Sequence, residues 1–197
     1  MVGEVGETAE KGGSIRRWRM TTVVPLLRVL ALFATAAATV AMALNKETHT
    51  FTVATIGNTP VKITLTAQFQ HTPANVMFVI ANGVATLYGL VMLALSFVIH
   101  KYNLKGPWFL TVATLDMVTI AVVSGAATAV AFMGELARNG NSHARWNKIC
   151  DNFQRYCNQG SGAMLASYIG IFFLMLVNMV HIFQLKRLNN LKNAIAA

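Results

Sequence analysis

Charge is scarce in this chain. Only 12% of its 197 residues are Asp, Glu, Lys or Arg, while 55% are hydrophobic. A soluble domain carries about a quarter charged residues. A soluble all-α protein is a poor fit, because helices apolar on every side would leave too little polar surface. Acidic residues are rarer still: seven Asp and Glu stand against sixteen Lys and Arg, a formal net charge of +9. That excess does not make a nucleic-acid interface, since the basic residues are scattered over loops and span ends rather than gathered on one face.

Other absences narrow the function. There is no His-x-x-x-His pair, no Gly-rich phosphate loop and no Ser/His/Asp set. No catalytic, cofactor-binding or metal-binding residue is therefore expected, no cofactor, and no enzymatic activity. The chain has two cysteines; their spacing is not the Cys-x-x-Cys of redox enzymes, and His143 alone does not complete a zinc site. No Asn-x-Ser/Thr sequon is present, and Met1-Val2-Gly3 lacks the glycine at position 2 that myristoylation needs. The first apolar run is too long and begins too late for a cleavable signal peptide, so it is expected to act as a signal anchor.

What remains is apolar length. Runs of about 20 apolar residues can cross a bilayer core of roughly 30 Å as helices. Four occur, at about 21–44, 76–99, 108–133 and 163–185. The expected fold is all-α and membrane-embedded: a four-transmembrane-helix bundle over 21–187, with outer loops 45–75 and 134–162. Tails 1–20 and 188–197 flank it, the first of them disordered because residues 1–14 are polar and Gly/Glu-rich without a period. Arg16, Arg17 and Arg19 precede the first span, Lys101 and Lys105 lie in the middle loop, and Lys186, Arg187 and Lys192 follow the fourth span. Basic flanks favour the cytoplasm. Lys46, Lys62, Arg138, Arg145, Lys148 and Arg155 in the outer loops make that bias modest. An even number of spans then puts both termini on the cytoplasmic side.

The first outer loop has a different rhythm. HTFTVATI (49–56) and VKITLTAQF (61–69) are rich in β-branched residues, and Val61, Ile63 and Leu65 alternate with Lys62, Thr64 and Thr66. A period of two predicts strands. Gly57-Asn58-Thr59-Pro60 between them is a turn signal. The expectation is a small extracellular β-hairpin carrying Phe51, Val53, Val61, Ile63 and Leu65. An isolated hairpin is marginal, so it should lean on the second outer loop or on a neighbouring subunit. Pro73 breaks the chain before the second span. Gly106-Pro107 marks a tight inner turn, with Trp108 at interface depth.

Two spans hold a lone charge each. Arg28 sits in TTVVPLLRVLALFATAAATVAMAL (21–44) and Asp116 in WFLTVATLDMVTIAVVSGAATAVAFM (108–133). An intramembrane charge costs a few kcal/mol on insertion scales, faces the protein interior and usually has a partner. Arg28 lies roughly 10 Å inside the first span and Asp116 roughly 12 Å beyond Trp108, at 1.5 Å per residue. The depths match, so an ion pair between the first and third helices is geometrically possible. A transport path would show several ionisable groups; one of each sign favours a structural bridge. A row at every fourth position is made mostly of small residues on both helices: Ala31, Thr35 and Thr39 on one, Ala113, Met117, Ala121, Gly125 and Ala129 on the other. Such spacing lets backbones approach closely, which points to Ala31, Thr35, Ala121 and Gly125 as packing positions. Asn82, Tyr88, Ser124, Asn178 and His181 are read as helix–helix hydrogen bonders. Cys150 and Cys157 share one expected extracellular loop, where a disulfide is the default, contributing about 2–3 kcal/mol for a short loop.

Four spans, Arg28 in the first, Asp116 in the third, and the W-x3-C-x6-C pattern of Trp146, Cys150 and Cys157 together resemble the plant CASP-like proteins. These are relatives of the Casparian strip membrane domain proteins and, more distantly, of the MARVEL proteins. The resemblance covers roughly residues 20–190. It implies a plasma-membrane protein without enzymatic activity that self-associates into membrane platforms and helps to position wall-modifying enzymes. The first outer loop does not look like the signature of the Casparian strip proteins proper, so a general scaffold role is the safer inference. The partners it implies are membrane lipids, further copies of the chain, and membrane or cell-wall proteins, with no nucleic acid. The alternative function is a channel or transporter subunit.

Overall fold

A computed structural model of the chain describes the backbone of residues 2–56, 58–102 and 107–196, and the side chains of 23–55, 58, 60–96, 110–187 and 189–190. Four long helices carry the fold: α1 (Val2–Ala43), α2 (Pro73–Tyr102), α3 (Pro107–Asn139) and α4 (Gln154–Ala196). Strands β1 (Lys46–Ile56) and β2 (Thr59–Gln68) and a short 3-10 turn at Phe69–His71 join α1 to α2. Each helix contains a stretch long and apolar enough to cross a membrane: Val23–Ala43, Pro73–Ser96, Leu110–Asn139 and Gln154–Arg187. Gly57, Gly106 and the side chains of Arg16, Arg17, Arg19, Lys101, Lys105, Trp108 and Lys192 lie outside the described residues.

The helix bounds differ from the sequence expectation in a consistent direction: helices run on past the apolar zone. α1 is helical back to Val2 and α4 on to Ala196, through both stretches read as tails. Once a helix is nucleated, each further residue adds a hydrogen bond. Pro73 and Pro107 open α2 and α3 as their first residues, where the missing N–H is one no helix would use. α4 begins at Gln154 rather than near 163, so Cys157 lies in its first turns. α3 ends at Asn139 and Gly140 takes a left-handed φ of 70°, its N–H donating to the Leu136 carbonyl at 2.9 Å. That is the left-handed cap that glycine permits.

Buried positions on α1 are spaced by four and three residues: Val24, Arg28, Ala31, Thr35, Ala38 and Met42. On α2 the corresponding row is Asn75, Phe78, Asn82, Ala85 and Met92. This alternation is the seam of nearly parallel helices in a left-handed bundle. Leu26, Phe33 and Val40 point outward on α1 and are more than half exposed, the surface a lipid phase would cover. An apolar core of Ala38, Met42, Phe78, Val123, Ala127 and Ile171 fills the half of the bundle nearer the hairpin.

The hairpin is antiparallel and pairs Lys46 with Gln68 through Ile56 with Thr59, with a bulge that leaves Val53 without a partner. One face is a threonine ladder: the hydroxyls of Thr48 and Thr66 are 3.0 Å apart, those of Thr50 and Thr64 3.1 Å. The other carries Phe51, Ile63 and Leu65. Its base leans on the segment leading into α4, where Phe153 meets His49 and Phe51 edge-on at ring-centroid distances of 5.6 and 6.2 Å. Val53, Ile63 and Leu65 stay exposed.

Gly170 sets the distance between α1 and α4. A Cβ at that position would stand 2.9 Å from Thr35 Cγ2 and 3.4 Å from the Thr35 backbone nitrogen. Gly125 has nothing within 4 Å of its Cβ position. Gly170→Ala is therefore expected to destabilise the bundle by about 1–3 kcal/mol through overpacking, while Gly125→Ala leaves it unchanged. Thermal unfolding in detergent checks the pair; equal melting of the two variants would refute the close contact.

Candidate functional site: one carboxylate held by four helices

Asp116 on α3 is fully buried and Arg28 on α1 is 3% exposed. The Arg28 guanidinium donates from Nη2 to Asp116 Oδ2 at 2.7 Å. Two further helices converge on the same carboxylate. Tyr88 on α2 donates its hydroxyl to Oδ1 at 2.7 Å, and His181 Nδ1 on α4 lies 3.1 Å from Oδ2. With a carboxylate as partner, that ring nitrogen is the donor. Each of the four spans thus contributes one side chain. The charges of Arg28 and Asp116 cancel, and both carboxylate oxygens are occupied, as a buried ion requires.

The sequence pointed to the α1–α3 bridge and treated Tyr88 and His181 as ordinary interhelical hydrogen bonders. The structure gathers them onto the same acceptor. The missed signal was depth: both lie in the same half of their spans as the charged pair. Asn82 and Ser167 form a second level, with Ser167 Oγ donating to Asn82 Oδ1 at 2.9 Å. Thr86 joins it to α1 by donating to Thr35 Oγ1 at 3.0 Å. Asn178 is buried with Oδ1 unpartnered among the described residues, and Ser124 is half-buried.

The packing positions expected on the first and third spans divide. Ala31 and Thr35 are buried at 1% exposure. Ala121 and Gly125 instead face outward, so they do not pack against α1. The reason is geometric: a strict four-residue repeat drifts about 40° per step on a helix of 3.6 residues per turn. The row starts buried at Ala113 and has rotated away by Met117, which is exposed; Val123, Ala127 and Val130 take the inner face.

Beside Arg28 lies a cavity of only about 10 Å³, bordered by Thr35, Ala85, Gly89 and Leu174. Arg28 Nη1 has no hydrogen-bond partner among the described residues. A space of that size corresponds to one water molecule, far short of a conduit. Among the described residues, the arrangement joins the four helices at one depth.

A second assembly ties the hairpin to the helices. Glu47 Oε2 on β1 accepts the backbone N–H of Tyr156 at 2.7 Å, placing a carboxylate on the orphan donors and positive dipole end of α4. Asn45 Nδ2 donates to the Tyr156 carbonyl at 2.9 Å and Asn75 Nδ2 to its hydroxyl at 2.8 Å. Cys150 and Cys157 are joined in a disulfide, fixing the segment that carries Phe153.

The family model of the Casparian strip membrane protein domain matches residues 17–173. CASP-like protein 1B2 of Populus trichocarpa is 53% identical over 86% of this chain and 83% of its own length. CASP-like protein 1B1 of Ricinus communis is 49% identical over 88% and 86%, and CASP-like protein 1B2 of Arabidopsis thaliana 47% over 92% and 90%. No solved structure matches. The chain belongs to the CASP-like family of membrane proteins.

Removing Arg28 strands a buried carboxylate. Arg28→Ala is expected to cost ~3–5 kcal/mol, and Tyr88→Phe, which removes one interhelical hydrogen bond, ~1 kcal/mol. The double exchange Arg28→Asp with Asp116→Arg recovers only part of the loss, because Tyr88 and His181 then face a cation instead of an acceptor. Unfolding of the purified variants measures all three, and wild-type melting of Arg28→Ala would refute the lock.

Proposed function

We propose that this chain is a plasma-membrane scaffold without catalytic activity: a stiff four-span unit that self-associates into platforms and positions cell-wall-modifying partners on its hairpin side. The observation that carries this reading is the enclosure of Asp116. Its oxygens meet donors from the three other helices, so the charged groups at span depth are consumed in holding the bundle together. Among the described residues, only Arg28 Nη1 of these groups is left without a partner, beside a space no larger than a water. Membership of a family of CASP-like membrane proteins supports the same reading.

The disulfide supports an orientation. Disulfides persist in oxidising compartments, and Cys150–Cys157 lies at the hairpin end. The hairpin then faces the wall and both termini face the cytoplasm, in agreement with the basic residues before the first span. Self-association uses the outward surface of α3, where Ala121 and Gly125 let a second helix approach closely in lipid.

Two measurements test the proposal. In plant cells, fluorescence recovery of a tagged full-length chain is expected to be slow, and in nanodiscs the protein should assemble with rising concentration. Gly125→Leu, at an outward position where a Cβ would meet nothing within 4 Å, should speed recovery and shift the assembly toward monomer without lowering the melting temperature. Free diffusion of the wild type, or steady ionic current from it in planar bilayers, would overturn the scaffold reading.

A further inference from the structure

The hairpin sorts its side chains into two unlike faces. Side chains alternate across a strand, so the pairing register fixes which residues share a side. Thr48 pairs with Thr66, Thr50 with Thr64 and Thr52 with Lys62, and Lys46 follows in the same alternation. Both lysines of the hairpin therefore fall on the threonine face. On the other side His49 pairs with Leu65, Phe51 with Ile63 and Ala54 with Val61. Phe153 covers the base of that side through His49 and Phe51, while Val61, Ile63 and Leu65 stay exposed. A two-stranded sheet is marginal in water; further strands or a packed apolar face stabilise it.

Charge and area decide what covers the face. The chain carries sixteen Lys and Arg against seven Asp and Glu, and Arg138, Arg145, Lys148 and Arg155 are exposed around the second outer loop. Copies of such a chain repel one another over much of this end. The apolar hairpin face escapes that repulsion, because it carries neither lysine. Its titratable groups, Glu47 and His49, sit together at the base with Oε1 and Nε2 3.1 Å apart. Over 61–65 and the partner strand the open face measures roughly 14 by 10 Å from strand rise and spacing, far below the ~800 Å² that each side of a stable complex buries. A soluble partner is not held by so small a patch alone. A second copy in the same bilayer needs less area. Its spans keep it nearby and hold its hairpin at the same height, which raises the effective concentration of one face for the other.

We propose that this face docks on the same face of a second copy, so that two hairpins form a four-stranded sandwich above the membrane. Val61, Ile63 and Leu65 of each copy interdigitate across a gap of about 10 Å, and all four lysines point outward. The proposal rests on the self-association reading and adds a contact outside the lipid to it. A patch that meets itself closes at two copies. Combined with a separate contact between spans, it links pairs into a larger array.

The test uses the full chain in nanodiscs, with the native disulfide intact and assembly measured by energy transfer between labelled copies. Ile63→Cys is compared with Thr64→Cys on the opposite face, each treated with a bismaleimide that spans about 10 Å, the distance between packed sheets. Cysteine at 63 is expected to give at least about tenfold more cross-linked dimer than cysteine at 64. Ile63→Lys sets like charges against each other and should raise the concentration for half-assembly about tenfold, with the melting temperature of the monomer unchanged. If the wild type assembles but the two cysteines cross-link equally or not at all, or Ile63→Lys assembles normally, hairpin docking is overturned and self-association stands. If the wild type stays monomeric, the self-association reading fails and takes the docking with it. Protection of cysteine 63 from a soluble maleimide in nanodiscs holding a single copy assigns the face to lipid and also overturns the proposal.

Discussion

A carboxylate cannot stay ionised in a lipid interior unless the protein replaces the water it has lost. Asp116 imposes that demand on the whole bundle. One guanidinium neutralises the charge, yet a carboxylate offers about four acceptor sites, and a single partner leaves most of them bare. Tyr88 and His181 occupy two more. Because the three donors come from three different helices, the arrangement of α1, α2 and α4 around α3 is specified at one point. Apolar packing in lipid gives no comparable direction, since lipid tails solvate Leu as well as another helix does. The cost of burying the ion thus becomes a preference for one packing of the spans.

The lock needs close helices, and the sequence supplies them through small side chains. Gly170 lets Thr35 sit against the α4 backbone, and Ala31, Ala38, Ala85 and Ala163 leave little bulk in the seam. Close approach brings Thr35, Thr86, Asn82 and Ser167 within hydrogen-bond reach. At the hairpin end, the Glu47 carboxylate on the α4 N-terminus and the aromatic contacts of Phe153 anchor a hairpin that would be marginal alone. The Thr hydroxyl pairs along one face add cross-strand contacts, while the apolar face beyond Phe51 remains open.

How much of this was readable beforehand follows from the range of each interaction. Span number and the presence of a hairpin are written in local periodicity, so Val61, Ile63 and Leu65 announce a strand with no tertiary knowledge, whereas the Val53 bulge and the pairing of Thr59 and Pro60 are not. Arg28 and Asp116 stand out because a lone charge in an apolar run is conspicuous. Tyr88 and His181 carry no such mark; polar but uncharged, they become identifiable only once depth is compared across all four spans. The contact of Glu47 with Tyr156 joins residues over 100 apart in sequence, and no local pattern encodes it. The outward position of Ala121 and Gly125 was hidden for another reason. A four-residue repeat looks like a face on paper but spirals off it on a real helix, and only the neighbouring row of Val123, Ala127 and Val130 reveals which side is inward.

Two buried polar atoms without partners show how differently the ends of the bundle are built. Arg28 Nη1 and Asn45 Oδ1 carry the same kind of deficit. Arg28 is among the residues lining a cavity of about 10 Å³, and Asn45 among those lining one of about 500 Å³. The first cavity has room for a water and nothing larger. Around Asp116 four side chains draw the helices together; at the hairpin end the ties run from Asn45, Asn75 and Glu47 to Tyr156 on α4, and α3 joins α4 through Arg138 and Ser161. A bundle clamped by a carboxylate at one depth and by hydrogen bonds around Tyr156 at another is held at both ends of its spans.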